Sequence, residues 1–313
     1  MREFALIEAI RARSMLTRED VVLGIGDDGA IVSPRPDSEL VVVMDTLVAG
    51  RHFPLETAAF DVGWKSLAVN LSDLAAMGAE PAWATLALTL PKGDADWTLA
   101  FVDGFMALAR EHRVALVGGD TTSGPLAVTV TAHGHVPRGK ALRRDGAKPG
   151  DTIFVSGTLG DAAAGLRAVQ RGEEHEALRE RLDRPTPRVA LGLALRDVAT
   201  ACIDVSDGLL ADLRHILERS GAGAMLDVDV LPSSPALRAF ASLDERRALQ
   251  LSGGDDYELC FTVPREREAE ALAAAQRCNV PLTRIGAIEA THGVRTKSGI
   301  AIVSARAGWD HFA

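Results

Sequence analysis

Cysteine, basic residues and long apolar runs are all scarce in this 313-residue chain. Its three cysteines are odd in number and form no CxxC pair, which favours free thiols in a reducing cytoplasm. Lys and Arg number 34 against 43 Asp and Glu, and the net charge of −9 argues against broad binding to nucleic acid or to an anionic membrane. The longest clean apolar stretch, residues 81–90, is far shorter than the roughly 18 residues of a membrane span. The charges in the first two turns also predict that the chain starts without a signal peptide.

What is present is a pattern of two α/β domains. Apolar residues make up 47% of the chain, enough for two cores at about 100–200 residues per domain. Short β-branched runs alternate with Ala- and Leu-rich helical stretches, which predicts an α/β or α+β protein. A segment rich in Gly, Pro and charge, residues 137–150, separates an expected N-terminal domain, 1–138, from a C-terminal domain, 149–313.

The alternation predicts individual helices and strands. We expect helices over residues 61–77, 94–112, 159–171, 206–220 and 265–277. We expect strands in VVLGIG, ELVVVMD, ATLALTL, VALVGGD and LAVTVTAHGHV, and over residues 152–156, 201–205, 224–230, 258–263 and 300–304.

Two glycine motifs suggest nucleotide binding, and neither has the context that its mechanism needs. GIGDDG at residues 24–29 matches GxGxxG, but the following AIVSPRP cannot supply the helix whose N-terminus holds a pyrophosphate. Asp27 and Asp28 would also repel a bare pyrophosphate. GHVPRGKA at residues 134–141 lacks the Ser or Thr that ends a P-loop, since Ala141 stands there.

Carboxylates beside Gly or Ser recur at the expected strand ends and turns. Each alone has an ordinary explanation, because Asp is common in turns and at helix starts. Six such motifs in one chain are harder to explain in this way, because the ligand-binding sites of α/β folds lie at the carboxyl ends of strands. The carboxylates concerned are Asp27, Asp28, Asp45, Asp73, Asp120, Asp204, Asp207, Asp255 and Asp256.

Asp73 is the most informative of these residues. It falls late in a predicted helix that stops at Gly78, where the helix dipole disfavours an anion by about 0.3–1 kcal/mol. Asn70 lies one turn before it on the same face. Such a carboxylate calls for a cation, and aspartates without His or Cys select Mg²⁺ before zinc. Mg²⁺ would in turn let an acidic protein bind a polyphosphate.

Three further features leave two interpretations open. The densest basic patch comprises Lys140, Arg143, Arg144 and Lys148. It is either a solvated linker or a phosphate clamp, for which Arg is best suited. His52 is either a ligand contact or a loop histidine. Trp309 either covers a planar ligand or ties down the end of the chain.

Together, several motifs closely resemble those of the thiamine-monophosphate kinase family, in the superfamily of aminoimidazole ribonucleotide synthetase. They are GIGDDGA, MDTLVAGRHF, KSLAVNLSDLAAMGAEP, GGDTTSGPL, GAKPGD, IDVSDGL, SGGDDYELCF and GWDHF, in order from about residue 4 to 312. The resemblance implies two α/β domains, with N-terminal sheets of two subunits pairing in a homodimer. It also implies ATP-dependent phosphorylation of thiamine monophosphate to thiamine diphosphate.

The resemblance also implies roles for individual residues. Magnesium positions are matched by Asp28, Asp45, Asp73, Asp120, Asp204 and Asp207. Positions around ATP are matched by Gly119, Asp120, Arg144 and Ser206. Contacts to thiamine monophosphate are matched by His52, Asp255 and Trp309. Two departures from the family pattern are Val43-Met44, where relatives often carry Ser-Thr, and Asp255, where relatives carry the longer Glu.

The mechanistic hypothesis is direct in-line transfer of the γ-phosphoryl group of ATP to a phosphate oxygen of thiamine monophosphate. That acceptor is already anionic, so no strong general base is needed, and positioning with charge neutralisation would suffice, with Asp73, Asp120 and Arg144 carrying the catalysis. Two alternatives stay open. One is another ATP-using enzyme of the superfamily, such as a selenophosphate synthetase; the other is a non-catalytic sensor of nucleotide or thiamine phosphate.

Overall fold

The fold has two compact units, each with its own β-sheet. The computed structural model describes residues 3–302, so Trp309 and the end of the expected strand over 300–304 lie outside the described residues. The first unit comprises Met1–Leu74 and Ala79–Gly139, and the second comprises Ala75–Gly78 and Lys140–Ala313. In the described part of the chain, no helix is both long and apolar enough to cross a membrane.

The first unit is built on a four-stranded mixed sheet. In chain order its elements are α1 (Glu3–Arg13), β1 (Val21–Leu23), β2 (Ile31–Val32), β3 (Ser38–Val48), α2 (Ala59–Ala76), β4 (Glu80–Leu90), α3 (Ala95–Glu111), β5 (Ala115–Ser123) and β6 (Ala127–Pro137). The sheet has the order β3-β6-β4-β5, and only β4 and β5 are parallel neighbours. β1 and β2 form a separate antiparallel ribbon. All five strand motifs expected in this half of the chain are confirmed.

Glycines let the two long helices of this unit pack closely. A Cβ at Gly63 of α2 would lie 1.9 Å from the carbonyl oxygen of Phe101, and one at Gly104 of α3 would lie 1.8 Å from that of Phe60. Any larger residue would therefore force the backbones apart. α3 begins where the sequence predicts, because the carboxylate of Asp94 accepts the Trp97 amide at 3.1 Å as an N-cap.

The second unit contains a six-stranded sheet and seven α-helices among its described residues. In chain order they are β7 (Thr152–Ser156), α4 (Asp161–Arg171), α5 (Glu176–Asp183), α6 (Val189–Leu195), β8 (Ala201–Val205), α7 (Leu209–Ser220), β9 (Gly223–Leu226), α8 (Pro235–Phe240), α9 (Leu243–Ser252), β10 (Glu258–Val263), α10 (Glu268–Arg277), β11 (Leu282–Glu289) and β12 (Gly293–Thr296). The order is β12-β9-β11-β7-β10-β8, with β12 and β9 the parallel pair. β7, β8 and β10 are buried along their whole length.

Some predicted boundaries in this unit are wrong, each for a local reason. The strand expected over 224–230 ends at Leu226, because the Asp227 carboxylate accepts the Asp229 amide and starts a 3-10 turn, Val228–Val230. The helix expected from residue 206 begins only at Leu209, since Gly208 has a φ of 115°. The helix expected over 265–277 begins with a separate 3-10 turn, Arg265–Arg267.

Candidate active site

In the first unit, two of the predicted metal positions lie within strands and not at their ends. β3 continues past Asp45 to Val48, and β5 continues past Asp120 to Ser123. Asp45 is half-buried, whereas Asp120 is exposed. β3 and β5 run in the same direction and form opposite edges of the sheet, so both carboxylates lie toward one end of it. Three strand spacings of about 4.8 Å separate those edges, roughly 14 Å along a flat sheet.

Gly119 precedes Asp120 at a place where no side chain fits. Its φ is 156°, and a Cβ there would lie 1.8 Å from the carbonyl oxygen of Leu86 in β4. The Gly-Gly-Asp motif thus brings β5 tightly against β4 and fixes the backbone from which Asp120 projects. This close approach is a packing reason for the glycine, beside the ATP contact that the resemblance implies.

Asp73 lies in the last turns of α2, as predicted, and is half-buried. One turn earlier, Asn70 is fully buried and donates its amide to the Ser66 carbonyl at 3.0 Å. Its Oδ1 atom has no hydrogen-bond partner within residues 3–302. Lys65, two turns before Asp73 on the same helix, is 1% exposed and was not singled out from the sequence. A single lysine in an otherwise apolar stretch of the predicted helix was the available signal.

His52 lies in the turn that follows β3, and Asp28 lies in the exposed loop between β1 and β2. The Val48 amide donates to Nδ1 of His52 at 2.9 Å, so Nε2 carries the proton of the neutral ring. This tautomer makes Nε2 a donor suited to a phosphate or carbonyl oxygen. The Asp28 amide donates to the Asp27 carboxylate at 2.9 Å, which closes the turn and leaves the Asp28 side chain exposed.

In the second unit, the IDVSDG motif crosses from β8 into α7. Asp204 is buried near the end of β8, and Ser206 and Asp207 are half-buried in the following turn. Asp212, which the sequence reasoning missed, holds this turn: one carboxylate oxygen accepts the amides of Ser206, Asp207 and Gly208 at 3.0–3.1 Å. A carboxylate one turn into the helix that follows the motif was the signal.

The electrostatics of this turn fit a cation. Burial, together with the like charges of Asp204 and Asp207, raises the pKa of Asp212 to about 8. These three carboxylates, at the end of β8, in the following turn and in α7, repel each other when ionised, and a divalent ion relieves that repulsion. All their donor atoms are oxygens, as Mg²⁺ prefers, and in the first unit the orphaned Asn70 oxygen is of the same kind.

Within residues 3–302, no group of three or more His, Cys, Asp or Glu side chains is placed to hold a metal ion. Mg²⁺ needs no such cage, because it is usually bound by one or two carboxylates, with phosphate oxygens and waters completing its octahedron. The arrangement therefore fits ions that enter together with a polyphosphate.

The basic patch divides into paired and unpaired cations. Lys140 donates to Asp197 at 2.6 Å, and Arg143 donates twice to Asp145, at 3.0 and 2.5 Å. Arg144 is exposed, and its guanidinium has no ion-pair partner among the described residues. The adjacent Arg143 carbonyl accepts the Cys202 amide at 2.9 Å, which holds this segment along the edge of β8. Arg144 is thus the better placed of the two arginines to bind a phosphate in this unit.

The loop between α9 and β10, which carries the GGDDY motif, has an unusual backbone. Asp255 and Tyr257 both have left-handed conformations, with φ of 67° and 51°, which cost roughly 1–3 kcal/mol each in a non-glycine residue. Asp255, the predicted substrate contact, is half-buried. Asp256 is 1% exposed and accepts the Gly160 amide at 2.7 Å, and burial raises its pKa well above the ordinary value. Of the two neighbouring aspartates, Asp256 is therefore structural.

Glu258, the first residue of β10, follows this loop directly and is held by several hydrogen bonds. Its fully buried carboxylate accepts two hydrogen bonds from Arg188, at 2.6 and 2.5 Å, one from Arg181 at 3.0 Å and one from Ser156 at 2.6 Å. Burial raises the pKa of Glu258, but these partners outweigh burial, and the net shift is downward. Gly157 is required beside it, because a Cβ there would lie 2.1 Å from the Glu258 carboxylate.

Comparison with known families gives this arrangement a context. Residues 26–136 match the model of the AIR synthase related protein, N-terminal domain, and residues 148–298 match that of the C-terminal domain. The two units and their Asp-rich turns thus define a two-domain protein of the AIR synthase related class.

Individual proteins that resemble this chain over its full length identify the family within this class. The Salmonella typhimurium thiamine-monophosphate kinase is 49% identical over 99% of this chain and 98% of its own. The crystal structure of thiamine-monophosphate kinase from Stenotrophomonas maltophilia K279a matches with a TM-score of 0.90 and 56% identity, over 96% of this chain and 98% of that one. A structure described as AaThiL complexed with AMPPCP and TMP matches with a TM-score of 0.79 and 31% identity, over 100% and 99%. The chain belongs to the thiamine-monophosphate kinase family.

Proposed function

We propose that this protein transfers the γ-phosphoryl group of ATP to thiamine monophosphate, giving thiamine diphosphate and ADP. The observation that carries the proposal is the full-length match to thiamine-monophosphate kinases, one of them described as a complex with AMPPCP and TMP. AMPPCP is an ATP analogue with a non-transferable γ-phosphoryl group. A complex that holds donor analogue and acceptor together is what direct transfer requires.

The acceptor defines what the protein must do. A phosphate oxygen of thiamine monophosphate attacks the γ-phosphorus, the bond from that phosphorus to the β,γ-bridging oxygen breaks, and ADP leaves with the bonding electrons. The attacking oxygen is already anionic near neutral pH, so no residue has to remove a proton from it. The protein must therefore hold the phosphates of ATP and thiamine monophosphate in line and neutralise part of their charge.

We propose the following residues for this work. When bound, Mg²⁺ would neutralise phosphate charge and orient the phosphate oxygens. The side chains that would hold it are Asp28, Asp45, Asp73, Asp120, Asp204 and Asp207. Arg144, Gly119 and Ser206 would contact ATP, and a guanidinium without a local carboxylate partner is suited to its phosphates. His52 and Asp255 would contact thiamine monophosphate, and Trp309 would complete that site.

Further parts of the proposal concern the protein as a whole. Residues 1–138 would form the ATP- and Mg²⁺-binding and dimerisation domain, and residues 149–313 would complete the nucleotide and substrate site. The exposed apolar side chains of β3, Val42 and Met44, support pairing of this strand with a second copy in a homodimer. The free thiols support a cytoplasmic location.

The test is product formation by the purified full-length chain with ATP, Mg²⁺ and thiamine monophosphate, followed by chromatography. Thiamine diphosphate and ADP should appear in equal amounts. Asp73→Asn or Asp120→Asn should lower turnover by orders of magnitude while leaving the circular dichroism spectrum unchanged. Arg143→Gln, which breaks only the local pair with Asp145, is the matched control and should retain turnover. Near-normal turnover in both Asp variants would refute the metal assignment, and ATP left intact by the native protein would favour the sensor alternative.

A further inference from the structure

The side chain of Asn70, in α2, is buried with only one of its two polar atoms satisfied. It is 0% exposed, and its Nδ2 atom donates to the Ser66 carbonyl at 3.0 Å. Its Oδ1 atom has no hydrogen-bond partner within residues 3–302. Because a carbonyl can only accept, the NH2 group must face Ser66, and this fixes which of the two atoms is left over. The unsatisfied atom is therefore an acceptor oxygen.

Packing alone does not explain an asparagine at this position. A buried acceptor that loses its hydrogen bonds to water destabilises the folded protein unless another partner replaces them. A leucine would fill nearly the same space without that penalty, and Leu67, Leu71 and Leu74 of the same helix are all fully buried. The amide oxygen therefore indicates a partner other than the residues around it, either a hydrogen-bond donor or a cation.

The next polar residue on this face of α2 favours a cation. Asp73 follows Asn70 by three residues, a spacing that places the two Cβ atoms about 5–6 Å apart on a helix surface. Asp73 is half-buried in the last turn of α2, which contains no basic residue. The helix dipole adds negative potential there, because the last carbonyls of a helix carry partial negative charge. A neutral donor would satisfy only the Asn70 oxygen, whereas a cation satisfies both side chains and the dipole.

We infer that Oδ1 of Asn70 is a further oxygen ligand of a divalent cation held at Asp73. An amide oxygen suits a site rich in aspartate, because it binds a hard cation without adding another buried negative charge to the metal-free protein. This inference rests on the proposed function, in which Asp73 holds Mg²⁺. It concerns the binding of the cation and gives Asn70 no part in phosphoryl transfer itself.

The test is the Mg²⁺ dependence of thermal unfolding of the full-length chain with saturating AMPPCP, which permits no turnover. The melting temperature should rise with Mg²⁺, and the concentration at half of this rise measures the affinity of the site. Asn70→Leu should increase that concentration by about tenfold or more, because one ligand is lost. In EDTA the same variant should melt no lower than the native protein, since the unsatisfied oxygen is gone.

The matched control is Ser66→Ala, one turn earlier on α2. It removes a buried hydroxyl that already has a partner, since Ser66 Oγ donates to the Gly63 carbonyl at 2.8 Å. This variant should keep the native Mg²⁺ dependence. A native Mg²⁺ dependence in Asn70→Leu would overturn the inference, because Asn70 would then serve only the structure of α2.

Asn70→Asp gives a second test, which also decides the matter if Asn70→Leu fails to fold. A carboxylate keeps an oxygen for the cation but places another buried charge beside Asp73, so this variant should melt below the native protein in EDTA. Mg²⁺ should then raise its melting temperature by more than it raises that of the native protein. An equal or smaller rise would overturn the inference.

Failure of the proposed function gives a different result. A native protein whose melting temperature does not respond to Mg²⁺ would overturn the cation site and the role of Asn70 together. A response to Mg²⁺ that depends on Asn70, in a protein that forms no thiamine diphosphate, would refute the proposed reaction and support the cation ligand.

Discussion

The buried carboxylate of Glu258 gives the sharpest stability prediction. Glu258→Gln keeps the size of the side chain but removes the charge that compensates Arg188 and Arg181. The substitution also replaces an acceptor oxygen with an NH2 group, which would face hydrogen-bond donors, because the carboxylate is the acceptor in all four of its hydrogen bonds. The side chains of Arg188 and Arg181 are 17% and 20% exposed, so water partly solvates them once the pair is broken. We therefore expect a loss of about 3 kcal/mol, the lower end of the range for a broken buried ion pair.

The assay uses the single tyrosine as a reporter of the second unit. Urea unfolding followed by the ¹⁹F signal of 3-fluorotyrosine at Tyr257 reads the unit that contains Glu258, independently of the first unit. The control is Glu270→Gln, because Glu270 forms an exposed ion pair with Arg267 and the same substitution there should not change the midpoint measurably. Equal midpoints for the two variants would refute the argument that the Glu258 cluster carries a buried charge.

The pH dependence of the same variant provides a second check. Because the pKa of Glu258 is lower in the folded protein than its ordinary value of 4.5, the pair contributes its full stability above that value. The contribution is lost as the pH falls through the folded pKa. The native protein should therefore lose its advantage over Glu258→Gln below about pH 4.5. An advantage that persists unchanged well below that pH would contradict the assignment.

Two further predictions concern packing and thiol reactivity. Gly119→Ala should destabilise the first unit by about 1–3 kcal/mol and lower turnover, because its Cβ would meet the Leu86 carbonyl oxygen at 1.8 Å. The control is Gly118→Ala, because a Cβ at Gly118 has room. Equal melting temperatures for the two variants would contradict the predicted clash at Gly119. Iodoacetamide should alkylate Cys278 in the native protein and leave the two strand cysteines unmodified, since burial raises the pKa of both those thiols. Mass spectrometry of peptides reads this directly, and early labelling of a strand cysteine would count against the burial of that strand.

Local patterns in the sequence predicted most of the first unit. Alternating β-branched runs located its long strands, and the helical pattern over 94–112 located α3, whose start the Asp94 carboxylate caps. The same reasoning missed α1 in the first unit, and α5, α6, α8, α9, β11 and β12 in the second. α5, α6 and α8 are eight, seven and six residues long, too short for a helical period to stand out in the sequence. It also extended the strand from 224 past Asp227, where a single side-chain hydrogen bond outweighs the β-propensity of the valines that follow.

The candidate site was predictable in its residue types but not in its arrangement. Repeated aspartates beside Gly and Ser indicated oxygen-bound Mg²⁺, and Asp204 and Asp207 do lie at the junction of β8 and α7. Nothing in the pattern separates Asp255 from Asp256, because their difference is burial, which depends on the helix start at Gly160. Asp212 was visible only as a carboxylate in the predicted helix, and its role comes from three backbone amides that only the folded turn brings together.

The most direct test of the central claim is phosphorus-31 NMR of the purified protein with ATP, Mg²⁺ and thiamine monophosphate. The account predicts loss of the thiamine monophosphate resonance and growth of the paired diphosphate resonances of thiamine diphosphate, together with those of ADP. Chelation of Mg²⁺ by EDTA should stop both changes. Conversion of ATP to ADP and free phosphate, with thiamine monophosphate left intact, would contradict the proposed acceptor.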